Sequence, residues 1–283
     1  MFVQWEITEM LDIHFACTQC GKCCSDFKLP LTVSEALEWL RAGRDVQLVC
    51  EGIPWAVEPA GDDAASQHRR RRSFATNSGS MPIRVVVILA ANLAGRCPNL
   101  QADLRCGIYQ QRPLVCRIYP AEINPFVQLD PSRKACPPEA WAATQPWMQR
   151  DGRLLSAQVR DDIKKSREAD EQAVSVKQRL CAVLNLNTVA LSCEGFVVYS
   201  PDRHGLLTGL ELALGETACA IDETDWHFVS NSSESVDSLI SRGAVAALAG
   251  ASEAVGASEA VGEYGLVAYE YLAFNSPSAG VAA

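Results

Sequence analysis

The stretch CTQCGKCC, residues 17–24, places four cysteines in eight positions. Cys17, Cys20 and Cys23 recur at every third residue, and Cys24 follows Cys23 directly. Thiols this dense are staples, redox groups or metal ligands, and the compartment decides among these. A second group lies far along the chain, in CPNLQADLRCGIYQQRPLVCRIYP and KACPP. It comprises Cys97, Cys106, Cys116 and Cys136, with eight, nine and nineteen residues between successive thiols. Gly95, Pro98, Gly107, Pro113 and Pro120 punctuate this region. They predict tight turns between short elements, the kind of backbone that brings distant thiols to a common point.

The chain has 283 residues, twelve of them cysteine, with 48% hydrophobic and 21% charged residues. That is enough for a real hydrophobic core, so covalent staples are not needed to hold the fold. The opening MFVQWEITEMLDIH has no basic region or apolar run and carries Glu6, Glu9 and Asp12, unlike a secretory leader. The most apolar run, VVVILAANLAG from Val85 to Gly95, is shorter than the roughly 20 residues that cross a bilayer. A cytoplasmic location is expected, where thiols stay reduced and disulfides are the minority option.

Four thiolates select zinc or an iron–sulfur cluster. The step C-x2-C-x2-C is the run that bacterial ferredoxins wrap around a cubane, with a fourth thiolate arriving from elsewhere. Cys17, Cys20 and Cys23 are thus the expected nucleus of a 4Fe–4S site, with Cys97, Cys106, Cys116 or Cys136 as the distant ligand. Gly21 lets the loop bend. Zinc is the alternative, although the second group lacks the C-x2-C pair of an ordinary zinc knuckle. Adjacent side chains tend to point apart, so Cys24 serves a second site or is structural. Eight thiols allow two four-thiolate sites, or one site and spare thiols. His14, three residues before Cys17, is a lesser candidate ligand, and His204 and His227 have no evident partners. Arg112, Arg117 and Arg133 lie among the thiols and would offset their charge. Tyr109 and Tyr119 are expected to pack around the site. Cys50, Cys181, Cys193 and Cys219 read as small apolar core residues. There is no C-x3-C-x2-C, no G-x-G-x-x-G and no phosphate-binding loop, and no catalytic residue stands out.

FACTQCGKCC at Phe15–Cys24, then GRCPNL, CGIYQQRPLVCRIYP and the later Cys136, together with Tyr109 and Arg112–Pro113, resemble the YkgJ-like CxxCxxCC cysteine-cluster proteins. The resemblance covers roughly residues 10–140. It implies chelation of zinc or iron by Cys17, Cys20, Cys23, Cys24, Cys97, Cys106, Cys116 and Cys136. Flagellin lysine N-methylases carry a similar module, which implies a protein-modifying enzyme as a further alternative.

An α+β fold is expected: a small, loop-rich cysteine-cluster metal-binding domain over residues 1–150, then a mainly helical, acidic region over 151–283. Thr32 or Ser34 caps a helix in LTVSEALEWLRAG that Gly43 ends. DVQLVCEG and IRVVVILA read as strands. Residues 59–82, polar and rich in turn formers, read as a surface loop whose basic run His68–Arg72 is solvated. Gly152 to Leu184 reads as helical, TVALSCEGFVVYS as strand and turn, and SVDSLISRGAVAALAG as another helix. The duplicated ASEAVGASEAVG, Ala251–Gly262, reads as a spacer. Net charge is +1 over residues 1–150 and −10 over 151–283, giving −9 in all. This disfavours nucleic acid as a partner and leaves a protein docking through the acidic half as an expectation.

Overall fold

The structure, a computed structural model, describes residues 12–215, 225–249 and 267–274. Contacts divide it into two units. One comprises the described residues up to Phe27 together with Leu93–Arg167; the other comprises Lys28–Asn92 and the described residues from Glu168 onward.

The second unit is built on apolar strands. β3 (Val46–Pro54) is buried along most of its length and pairs antiparallel with β5 (Met81–Arg96), from Val46 opposite Ala91 to Pro54 opposite Ile83. On its other side β3 changes partner midway. Leu48–Cys50 run against β9 (Gly195–Tyr199), and Glu51–Gly52 run parallel to β8 (Thr188–Leu191). Gly52 sits at this change, where a Cβ would lie 2.6 Å from both Phe228 and Val189; only glycine admits those side chains there. β10 (His227–Ser230) extends the sheet parallel to β8, and β11 (Val245–Leu248) extends it parallel to β10. β2 (Ser25–Leu31) and β4 (Phe74–Ser78) flank β5, and β12 (Tyr269–Ala273) flanks β9, making nine strands.

Helices cover this sheet. α1 (Val33–Arg41) begins with the expected cap: Thr32 accepts from the Glu35 amide while Glu35 accepts from the Thr32 amide. α5 (Val174–Val183) packs on α6 (Arg203–Leu214), and α6 packs on α1. α7 (Ser233–Ser241) is the crossover between the parallel strands β10 and β11.

This corrects the expectation of a mainly helical C-terminal region. That region supplies five of the nine strands. TVALSCEGFVVYS does hold two strands, β8 and β9, as read, whereas β10 and β11 are only four residues each, too short for a period to separate strand from helix. SVDSLISRGAVAALAG is likewise not one helix but α7, a turn at Gly243, and β11. Nor are residues 59–82 a loop throughout: they hold α2 (Ala64–Arg71), capped by Asp63, and β4. α4 (Ala157–Gln172) and α5 do occupy the stretch read as helical. The duplication lies outside the described residues.

The first unit has a smaller core of its own. Ile13, Ile118, Leu129, Met148 and Ile163 are its buried centre, with Phe15 and Trp141 against them. β1 (Ile13–His14), β6 (Trp147–Arg150) and β7 (Arg153–Leu154) form a short antiparallel sheet beside it. Among the described residues no helix is long and apolar enough to cross a membrane.

Candidate metal centre

The first thiol group lies on a tightly curled loop. Gln19 and Gly21 have left-handed backbones, with φ of 53° and 73°. The next residues, Lys22–Cys24, form a single 3-10 turn closed by the Cys24 amide on the Gly21 carbonyl at 2.9 Å. A Cβ on Gly21 would also come within 3.2 Å of the Leu104 carbonyl and 3.3 Å of the Leu100 side chain. Gly21 therefore supplies both the turn and the close approach to the second thiol group.

Two backbone clamps join the groups. The Cys97 amide donates to the Cys24 carbonyl at 2.7 Å. Cys24 immediately precedes β2 and Cys97 immediately follows β5, so these neighbouring strands end with their thiols side by side. A small hairpin then returns Cys106 to Cys97: Leu100 bridges Cys106, and Gly107 donates to Asn99 at 2.8 Å. Pro113 starts α3 (Leu114–Ile118), which carries Cys116. The second clamp is at the other end. The Ala16 amide donates to Ala140 at 3.0 Å and the Phe15 amide to Pro146 at 3.0 Å, drawing Cys17 toward the segment after Cys136.

Electrostatics group Cys116 with Cys24, Cys97 and Cys106, and Cys136 with Cys20 and Cys17, while Cys23 and Cys24 link the two sets. Burial pushes the Cys116 thiol up to about 12, helped by Cys24, Cys97 and Cys106 and opposed by Arg112. Cys136 is raised by burial and by Cys20 and Cys17, while a Tyr119 hydrogen bond and Lys134 oppose this. The Tyr119 hydroxyl donates to the Cys136 sulfur and accepts from the Ala135 amide at 3.0 Å. Its own ionisation is pushed upward by burial first, then by the charges of Cys136 and Cys23. Cys24 is driven upward chiefly by its hydrogen bond to Cys23. These adjacent thiols, expected to point apart, meet because a 3-10 turn rotates neighbours by about 120° rather than the 180° of a strand.

The other candidates separate clearly. Arg112 faces the thiols, held by its Nε on the Tyr109 carbonyl at 2.9 Å and stacked 3.8 Å from that ring. Arg117 turns instead to buried Asp162 on α4, at 3.6 Å. His14 is taken up in the small sheet, where Nδ1 donates to the Gln145 carbonyl and the ring packs 3.6 Å from that of Trp147. Cys50 and Cys181 are buried, as expected, but Cys193 is exposed on the turn between β8 and β9. Cys219 lies outside the described residues. Lys134 was missed by the sequence reading. It pairs with Glu122 in a largely buried contact and lies 5.6 Å from the Tyr119 ring centre, and only its place two residues before Cys136 hints at it.

The eight thiols are free, and soft sulfur donors of this kind suit zinc or iron. Raised thiol pKa values are the expected cost of crowding and burying these donors, and a cation in their midst reverses it. Among the described residues no three His, Cys, Asp or Glu side chains converge as a group placed to hold one ion. The backbone gathers the donors without closing them into a coordination polyhedron.

Residues 16–137 match the CxxCxxCC family, described as a "Putative zinc- or iron-chelating domain". Over this segment the chain is similar to that domain, and the metal binding the family description carries is of zinc or iron. No curated protein and no solved structure matches the chain.

Proposed function

We propose that the CxxCxxCC domain forms two four-thiolate centres, and that at least the first holds a 4Fe–4S cluster serving electron transfer or redox sensing. Cys17, Cys20, Cys23 and Cys136 make the first, and Cys24, Cys97, Cys106 and Cys116 the second. The observation that carries this reading is the pair of backbone clamps, one at Ala16–Ala140 and one at Cys24–Cys97. One holds the residue before the CTQCGKCC loop to the segment after Cys136, and the other holds the end of the loop to Cys97. Cys23 goes with the first centre because Tyr119, which holds Cys136, also feels Cys23. The C-x2-C-x2-C run then has its distant fourth ligand.

When bound, a cluster supplies one-electron chemistry. The chain's own residues hold and tune it. Tyr119 directs Cys136 and donates to its sulfur, while Arg112 sets a cation beside Cys24 and Cys116. The cytoplasm is the proposed compartment. The net −10 of residues 151–283 favours a basic protein as redox partner.

Anaerobic purification with iron, sulfide and zinc analysis tests this. The expected protein is brown, absorbs near about 400 nm and carries about eight irons if both centres are cubanes. Cys136→Ser and Cys106→Ser are each expected to lose one centre and keep the other. Zinc alone would overturn the cluster, because zinc is colourless and redox-silent. Loss of all metal in each variant would overturn the division into two.

A further inference from the structure

A second site lies wholly within the first unit and contains no thiol. It is an open cleft of about 660 Å³ between the segment Ala121–Leu129, the β6–β7 turn and α4. Arg153, Arg160 and Arg167 line it. Arg160 and Arg167 are seven residues apart on α4, two turns, and so share one face of the helix.

Two of these cations, Arg160 and Arg167, are held in place. Arg160 donates through Nη1 to the backbone carbonyls of Leu154 and Leu155, and Arg167 donates through Nε to that of Ile123 at 2.7 Å. At Arg160, neutral carbonyls fix the guanidinium without cancelling its charge. Neither Arg153 nor Arg160 has an acidic partner among the described residues. The carboxylate that lines the cleft, Glu122, is already paired with Lys134. Arg153 and Arg160 thus leave the cleft with positive charge in a chain of net charge −9. Val127, Leu129 and Ile163 give it an apolar wall.

We propose that this cleft binds a small organic oxyanion, a carboxylate or phosphate ester with a short apolar body, its head on Arg153 and Arg160 and its body against Leu129 and Ile163. A guanidinium fork matches the paired oxygens of both heads. The proposal stands apart from the metal reading, because its ligands are arginines and its test does not require the metal.

The test is isothermal titration calorimetry on the full chain, purified anaerobically, at low ionic strength. Hexyl phosphate and hexanoate serve as probes of the two heads, with hexylammonium as the cationic control. Saturable binding of at least one anion and none of hexylammonium is expected. Arg153→Gln is expected to weaken binding about tenfold, the effect of losing one charge-assisted contact. The Arg153 side chain has no hydrogen-bonding or ionic partner among the described residues, and its backbone pairing with Arg150 survives the substitution, so the fold is expected to be unchanged. Arg160→Gln is expected to weaken binding at least as much, with circular dichroism confirming that the chain remains folded. Arg153→Lys should recover part of the affinity. The stronger of the two anions identifies the head group. No saturable heat with either anion, equal binding of hexylammonium, or unchanged affinity in Arg153→Gln would overturn the proposal.

Discussion

Gly21 shows how one residue couples backbone conformation to metal chemistry. Its positive φ and its approach to the Leu104 carbonyl both exclude a side chain. Gly21→Ala is expected to destabilise the chain by about 1–2 kcal/mol and to lower metal content, measured by urea unfolding and elemental analysis. Tyr119 acts on the sulfur of Cys136 rather than on a ligand of its own. Tyr119→Phe should leave metal content near normal when metal is in excess. Its hold should weaken by about tenfold or more, read out by chelator competition. At this scale the sequence is most legible. A metal ligand must be a particular atom, so Cys17, Cys20 and Cys23 stand out as candidates by identity and spacing alone. The Ala16–Ala140 clamp does not, since any residue other than proline has the same backbone N–H and carbonyl to offer.

At the level of elements, legibility depends on whether a segment carries local chemistry. α1 was readable because Thr32 and Glu35 form its cap from within four residues of sequence. α2 was not, because four consecutive arginines resemble a solvated run. Arg69, Arg70 and Arg71 are indeed exposed, while His68 is buried and Arg72, just past the helix, reaches inward. Arg72 pairs with Asp170, which also takes Lys177, and Arg72 and Arg69 lie near Glu51 on β3. Burial still raises the Glu51 carboxyl from 4.5 to about 7, the arginines opposing it only in part. The folded chain therefore keeps a proton that the unfolded chain has released. Stability is highest where both states are protonated, and it falls as pH rises from 4.5 toward 7. Glu51→Gln removes that loss. It is expected to be about 1–3 kcal/mol more stable than the natural chain near about pH 8, with most of the difference gone near about pH 5. Denaturant unfolding at the two pH values measures it.

Across the whole molecule, cysteine usage points to the segment that matches a metal-chelating family. Strand order was hidden. β3 is shared between β9 and β8 midway along its length, and a pairing between residues over a hundred positions apart leaves no local trace. The first unit has a modest core of its own, so its order should depend on bound metal, since binding free energy is then folding free energy. Anaerobic chelation is expected to lower the melting temperature by about 10 °C or more. Hydrogen exchange should show lost protection at the Ala16 and Cys97 amides, while amides of the β3–β5 ladder stay protected. Loss in the ladder alone would contradict this.

The metal-binding unit is assembled from two stretches, ending at Phe27 and resuming at Leu93, with the start of the sheet unit between them. That ordering bears on biosynthesis. The CTQCGKCC thiols leave the ribosome well before Cys97, and more than a hundred residues before Cys136. At ordinary elongation rates they wait roughly 6–20 seconds for their last partner. A nascent chain of this design exposes reduced, unligated sulfur throughout that interval, so its yield in the cell should track how reducing the surroundings are during translation.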